Sequence, residues 1–445
     1  MARFLHMLAS RPLFPLWNPS HPFQVTQLEV RTRRVHWAWW VAGVSFTALL
    51  GAAGFRAAPG VLIDPLHQEF GWSRGTISLA VSVNLVLYGV ISPFAAALME
   101  RFGMRKVVAS ALVLVAAGSG LTVVMTASWQ LILFWGIFVG VGTGSMALAF
   151  VATVTSRWFV KHRGLVSGVL TAAGATGQLV FLPIVANMAT DIGWRSASLV
   201  IAGVALLVVP VVLIFLRDHP SQVGTTALGA DAPEPPPPPN KGAARRALQV
   251  LGTSMRSGTF WLLAGGFAIC GASTNGLIGT HFVPAAHDHG VPMTTAAGLL
   301  ALVGIFDVAG TIFSGWLTDR IDPRWLLGAY YALRGGSLLL LPGLFAPTVQ
   351  PPMWAFIIFY GLDWVATVPP TVALCRDRFG MSGPIVFGWV FASHQLGAAF
   401  AATAAGATRD HLGSYDMAWY GAGLLCMVAA AMSIAIKRSS QKIAA

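Results

Sequence analysis

"GIFDVAGTIFSGWLTDR", residues 304–320, decides the class of this chain. It reads as continuous apolar helix except for one acid, Asp307, and it ends in an acid and an arginine at Asp319 and Arg320. A run of this kind fits a helix that crosses a bilayer and emerges into a charged loop. An ionised aspartate at mid-bilayer depth costs roughly 2.5–3.5 kcal/mol on insertion scales, so Asp307 needs a task that justifies it.

The surroundings repeat the pattern. Of the 445 residues, 56% are hydrophobic and 10% charged, against about 45–50% and 25% in an ordinary soluble domain. Apolar runs of helix-spanning length recur from Trp37 to Ile436, more than one buried core can use. They are too long and too continuously apolar for the alternating strands of a membrane barrel, which leaves an all-α, polytopic membrane protein. Three cysteines, Cys270, Cys375 and Cys426, lie within these runs without metal-ligand spacing and read as packing residues. The first 35 residues lack the order of a secretory signal and read as a cytoplasmic tail, or as the product of a start codon placed too far upstream.

Between the charged loops, spans begin near Trp37, Thr76, Val107, Gln130, Gly164 and Trp194, then near Thr259, Met293, Trp325, Pro352, Ser382 and Ser414. The expectation is twelve transmembrane helices in two bundles of six. Residues 36–216 would form the first bundle and 259–436 the second, with tails at 1–35 and 437–445. The linker, 217–258, contains "APEPPPPPNKGAARR", which cannot continue a helix. Charge then sets the orientation. With both termini in the cytoplasm, the outside loops hold only Arg74, Arg195 and Arg409, the spans hold Arg56 and Arg334, and the rest of the 28 Lys and Arg fall inside. This bias accounts for the net charge of +12 without nucleic acid as a partner. Tryptophans such as Trp37, Trp129, Trp194 and Trp325 fall near span ends, where interfacial aromatics belong.

Two loops at matching positions carry a family resemblance. "AALMERFGMRKV" (96–107) and "GWLTDRIDPRWL" (315–326) both resemble the loop motif Gly-x-x-x-Asp-Arg-x-Gly-x-Arg/Lys of the major facilitator superfamily. In the first copy Glu100 stands for the aspartate, Arg101, Gly103 and Arg105 match, and Ala96 replaces the leading glycine. In the second Gly315, Asp319 and Arg320 match and Asp322 replaces the second glycine. The resemblance covers residues 36–438. It implies an alternating-access carrier, with the substrate site between the halves near the midplane and the loop motifs latching a gate. Within the superfamily, "SRWFVKHRGLVSGVLTAAGATG" (156–177) and "FDVAGTIFSG" (306–315) look like segments of the monocarboxylate and oxalate/formate carrier group. That group commonly carries an arginine where Thr311 stands, so a cation for Asp307 has to come from another helix, Arg334 or Arg56.

A rise of 1.5 Å per residue puts Asp307, Arg334, Asp363 and His394 roughly 15–20 Å from the nearer loop edge, close to mid-bilayer. Arg56 lies further along the first span, and His281 near the outer end of the seventh. Asp307 and Asp363 are proton-site candidates; Arg334 is a candidate substrate contact that equally fits a structural pair with Asp363 or Asp307. Arg56, which has no obvious acidic neighbour in its own half, is the best anchor for an anion. His281 and His394 join the candidate substrate contacts, with the uncharged Asn84, Tyr88 and Gln178. No phosphate loop, nucleophile elbow or metal cluster is present, so an enzyme, an ATP-driven pump and a bound cofactor are all disfavoured. The reading is a monomeric secondary carrier, in a bacterial inner membrane, of a small organic monocarboxylate together with a proton. The alternative is proton-driven efflux of a lipophilic compound.

Overall fold

Apolar segments of this length close their own backbone hydrogen bonds, and their ends fall where a cap or a breaker stands. The computed structural model describes residues 35–146, 148–232, 242–318 and 320–437. The polyproline run of the linker and Asp319 lie outside these residues. The chain divides into a leading segment, Met1–Val35, and one unit, His36–Ala445.

In the first half α1 (Trp37–Ala57) is followed directly by α2 (Pro59–Phe70), because Pro59 starts a new helix after Ala58. Then come α3 (Arg74–Phe102), α4 (Met104–Leu121), α5 (Ser128–Trp158), α6 (Arg163–Asp191) and α7 (Trp194–Phe215). A short linker helix, α8 (Ala243–Ser254), leads into the second half. There α9 (Gly258–Asp288), α10 (Met293–Thr318) and α11 (Pro323–Leu340) precede a split segment, α12 (Pro351–Asp363) and α13 (Val368–Phe379). The last helices are α14 (Gly383–Leu412) and α15 (Asp416–Ala435). Among the described residues there is no strand, only an isolated bridge between Phe159 and Leu228. Among the described residues, eleven helical segments are long and apolar enough to cross a membrane. The ninth expected span, α11, is not among them: it has 18 residues and carries Arg324 and Arg334, which lower its apolarity.

The halves meet where α3 runs along α14, α6 along α10, and α2 against the end of α9. The end of the molecule that carries the linker differs from the far end. At the far end one buried cluster runs through both halves, from Val61, Leu66 and Ile77 to Phe282, Val283 and Trp419. At the linker end each half has its own cluster, one around Met99, Phe150 and Trp158, the other around Phe260, Phe267 and Tyr331. The linker helix α8 spans the two there, touching both α3 and α14, with Ala247 and Ser254 buried and Trp389 donating to the Ala247 carbonyl at 3.0 Å. Close backbone approach inside the second half depends on glycine. A Cβ at Gly271 would stand 1.8 Å from the His394 carbonyl oxygen, and one at Gly276 2.3 Å from that of Ala398.

Candidate functional site

The split between α12 and α13 organises the polar centre of the second half. Pro369 and Pro370 have no N–H to offer the carbonyls one turn back, so the chain unwinds over residues 364–367. Exposed backbone groups in a membrane protein have to be satisfied by protein, and here the side chains of neighbouring helices do so. Arg334 donates to the Asp363 carbonyl at 2.6 Å and to that of Trp364 at 3.3 Å. Ser314 donates to the Ala366 carbonyl, and one oxygen of Asp307 accepts from the Val365 N–H at 3.1 Å. That same oxygen accepts from the Thr311 hydroxyl at 3.0 Å.

Arg334 is fully buried and spends its guanidinium inside this half. Besides the two carbonyls it donates through Nε to the Asp363 carboxylate at 2.5 Å and through Nη1 to Cys270 Sγ at 2.9 Å. The ring centroids of Tyr331 and Tyr360 are each 5.9 Å from the guanidinium carbon. Arg334 therefore spends these N–H groups elsewhere and makes no direct bond to Asp307. The geometry gives Asp307 two neutral donors instead, and it remains only 9% exposed.

The other candidates divide between the interface and the interior of one half. Tyr88 packs edge-on against Phe391 across the halves, with ring centroids 5.8 Å apart. His394 lies beside Phe391 and 4.8 Å from Phe267, with its Nδ1 buried and without a partner. The neighbouring Gln395 presses against Gly89 of α3, and its Oε1 also has no partner. Asn84 is turned into its own half, donating to the Trp135 carbonyl at 3.0 Å. His281 is fully buried at the far end, its Nε2 bonded to the Ala402 carbonyl at 2.8 Å. Arg56 lies in the last turn of α1, immediately before the Pro59 break, and Gln178 in mid α6; their side chains lie outside the described ones.

At the loop motifs the two halves use different residues for one task. Gly103 has a φ of +85°, and a Cβ there would meet the Asp218 carboxylate at 2.7 Å. Asp218, from just beyond α7, accepts from the Arg105 N–H at 2.8 Å and so caps α4, while Arg157 donates to the Asp218 carbonyl. In the second half Asp322 caps α11 itself, accepting from the Arg324 N–H at 3.1 Å and pairing with the Arg324 side chain, which also reaches the Ile436 carbonyl. Arg101 and Arg320 are exposed and lie over their neighbours Phe102 and Trp316, Glu100 keeps a buried oxygen without a partner, and Gly315 faces open space.

Sequence reasoning passed over Thr311 and Ser314 as partners, although the four-residue spacing from Asp307 to Thr311 places both on one helix face. It also passed over Asp218 and Asp410, whose partners are more than 100 residues away and leave no local signal.

Comparison with known proteins agrees with this architecture. The sequence pattern of the Major Facilitator Superfamily is matched over residues 41–383 and again over 273–443. The uncharacterized MFS-type transporter YcxA of Bacillus subtilis is 27% identical over 387 residues, 85% of this chain and 90% of that one. Human monocarboxylate transporter 11 is 25% identical over 419 residues, 91% of this chain and 83% of that one. Among solved structures, a bacterial homolog of the human lysosomal transporter Spinster, inward-facing and occupied, superposes with a TM-score of 0.72 at 14% identity, covering 91% of this chain and 98% of that one. The D-xylose-proton symporter does so with a TM-score of 0.71, also at 14% identity and with the same coverage.

Proposed function

This chain belongs to the Major Facilitator Superfamily, and we propose that it carries a small organic monocarboxylate together with a proton, by alternating access of its two halves. The observation that carries the reading is Asp307: a buried carboxylate bonded to two neutral donors and to no cation, while Asp363 holds Arg334. A lone buried charge is costly, and taking a proton removes the cost. The proton also weakens the acceptor that holds the Val365 N–H, so loading Asp307 acts directly on the unwound stretch between α12 and α13. Relatives named as monocarboxylate transporters support the substrate class.

In this reading Arg56, at the break of the first span, anchors the carboxylate, and Tyr88 and Phe391 supply an aromatic wall where the halves meet, with His394 stacked on Phe391 inside the second half. Arg334 and Asp363 are structural. Twelve spans, α11 included, put both termini and the linker end in the cytoplasm, as the distribution of Lys and Arg favours. The exposed Arg101 and Arg320 then lie at that surface.

The test uses purified protein in liposomes, with labelled acetate and benzoate as probes and an enclosed pH dye. Uptake driven by an imposed proton gradient, with internal acidification, is the expected result. Asp307→Asn abolishes accumulation against a gradient while leaving exchange, and Arg56→Gln raises the half-saturating concentration. If Asp307→Asn still accumulates either probe and still acidifies the lumen, the proton assignment is wrong. If the wild type moves neither probe, the substrate class is wrong.

A further inference from the structure

Two glycines let α5 lie close to both arms of the hairpin that carries the first loop motif. A Cβ at Gly142 would be 2.6 Å from the Ala111 carbonyl oxygen of α4, and one at Gly144 3.0 Å from that of Leu87 on α3. Between the arms, toward the linker end, a groove of about 360 Å³ remains. Leu98 and Phe102 of α3 form one wall, Lys106, Ser110 and Leu114 of α4 the other, and Ser145 of α5 also lines it. Phe102, Lys106 and Ser110 are exposed. Because α4 packs on helices of its own half, a groove along it opens to the bilayer.

The polarity of the groove runs in one direction. Lys106, Ser110 and Leu114 recur at four-residue spacing, so they share one face of α4, and they pass from cation to hydroxyl to hydrocarbon. Lys106 stands in the first turn, and Leu114 about 15 Å along the helix from Met104, at 1.5 Å per residue. That is the depth of one leaflet, half of the roughly 30 Å hydrocarbon core. At the mouth Arg101 lies over the Phe102 ring, 5.1 Å from its centroid, and adds a second cation. Of the nearby acids, Asp218 is spent on the start of α4, where it accepts from the Arg105 N–H. Glu100 remains, against Arg101, Arg105 and Lys106, so the mouth is net positive.

We propose that this groove binds one anionic phospholipid, its phosphate held by Lys106 and Arg101 and an acyl chain lying along Leu98, Phe102 and Leu114. Basic pockets between membrane helices suit such headgroups. A soluble anion would leave the apolar walls uncovered, and a zwitterionic lipid brings a cation of its own to Lys106. The lipid rests against the loop motif of the first half, so it braces α3 and α4 whatever solute is carried. A ligand that binds only the folded chain raises its stability, which gives the site a direct readout.

The test has two arms on the full chain, delipidated in a neutral detergent. In the first, the melting temperature is titrated with phosphatidylglycerol, phosphatidylcholine or inorganic phosphate. Phosphatidylglycerol raises it by several degrees, saturably, and the other two do not. In Lys106→Gln the half-saturating lipid concentration rises roughly five-fold, the weight of one basic residue at an anionic lipid surface. Arg256→Gln, which removes an exposed cation at the linker end outside the groove, leaves it unchanged. Equal shifts with phosphatidylglycerol and phosphatidylcholine, or equal half-saturation in Lys106→Gln and wild type, overturn the proposal. In the second arm Ser110→Trp fills the groove from its exposed wall and abolishes the phosphatidylglycerol shift. A full shift in that variant places the lipid elsewhere and overturns the proposal; if the tryptophan variant does not fold, the exposed Lys106→Gln decides. Light scattering completes the second arm: a dimer that phosphatidylglycerol dissociates assigns the groove to a second copy of the chain and overturns it as well.

Discussion

Replacing Asp363 by asparagine tests whether Arg334 is a structural cation or a substrate anchor. The carboxylate takes the Arg334 Nε bond at 2.5 Å, and Arg334 has no exposed surface through which water could replace it. The bonds from Nη2 to the Asp363 and Trp364 carbonyls remain in the variant, but they cannot neutralise the charge. Breaking a buried pair on one side costs about 3–5 kcal/mol. At roughly 2–4 °C per kcal/mol for a cooperative unit of about 150–250 residues, the melting temperature falls on the order of 10 °C. The assay is thermal unfolding of the purified protein followed by tryptophan fluorescence, in a cycle with Arg334→Met and the double variant. Both singles lose stability strongly, and the double variant loses much less than their sum, because removing both charges leaves nothing unpaired. If Asp363→Asn unfolds within about 2 °C of wild type, under 1 kcal/mol on the same scale, the pair is not structural and the reasoning fails.

Three further outcomes follow from the same geometry. Gly310→Ala puts a Cβ 1.9 Å from the Leu362 carbonyl oxygen, next to the contact of Asp307 with Val365; it destabilises the protein by more than the ~1–3 kcal/mol usual for overpacking, read as lost yield or a lower melting temperature. Gly103→Ala strains a backbone with φ of +85° and drives a Cβ into Asp218, whereas Gly168→Ala meets open space and is tolerated; equal melting temperatures for the two would contradict this. At Glu69, hydrogen bonds from Arg195 and then Trp194 hold the carboxyl below the usual carboxylate range. Its contribution to stability is present above the unfolded value and is lost as pH falls through the depressed one. Glu69→Gln therefore narrows the gap to wild type only in that acid range, in melting curves taken as a function of pH.

How far the sequence discloses this molecule depends on how local the signal is. The apolar runs, the Pro59 break and the unwinding before Pro369 are written in neighbouring residues, and the helices begin close to where composition places them. The repeated loop motif likewise exposes the family. Arg334 illustrates the limit: depth along a helix identifies it as buried and ionisable, yet whether it serves Asp307, Asp363 or a ligand is decided by rotation about the helix axis and by neighbours 29 residues away. Asp410 is the stronger case. As an exposed acid near a helix end it is ordinary in sequence, and only the fold brings it to the start of α3, 335 residues earlier.

The polar cluster around Asp307 lies wholly within the second half, so a proton there cannot by itself separate the halves. Coupling needs an element whose position both ligands bias. The helix α14 meets that requirement: His394 faces α9 within its own half through Phe267, while Phe391 and Gln395 face Tyr88 and Gly89 of the other. Gly89 has no side chain where α14 packs against it, and a Cβ there would be 2.6 Å from that of Gln395. Gly89→Val therefore wedges the interface without touching the Arg334 and Asp363 pair or the contact of Asp410 with the start of α3. Net transport of a carboxylate probe falls at least tenfold, while the melting temperature falls by no more than overpacking of one position costs, about 1–3 kcal/mol, because each half keeps its own linker-end core. Transport at the wild-type rate in a folded Gly89→Val variant would remove α14 as the coupling element.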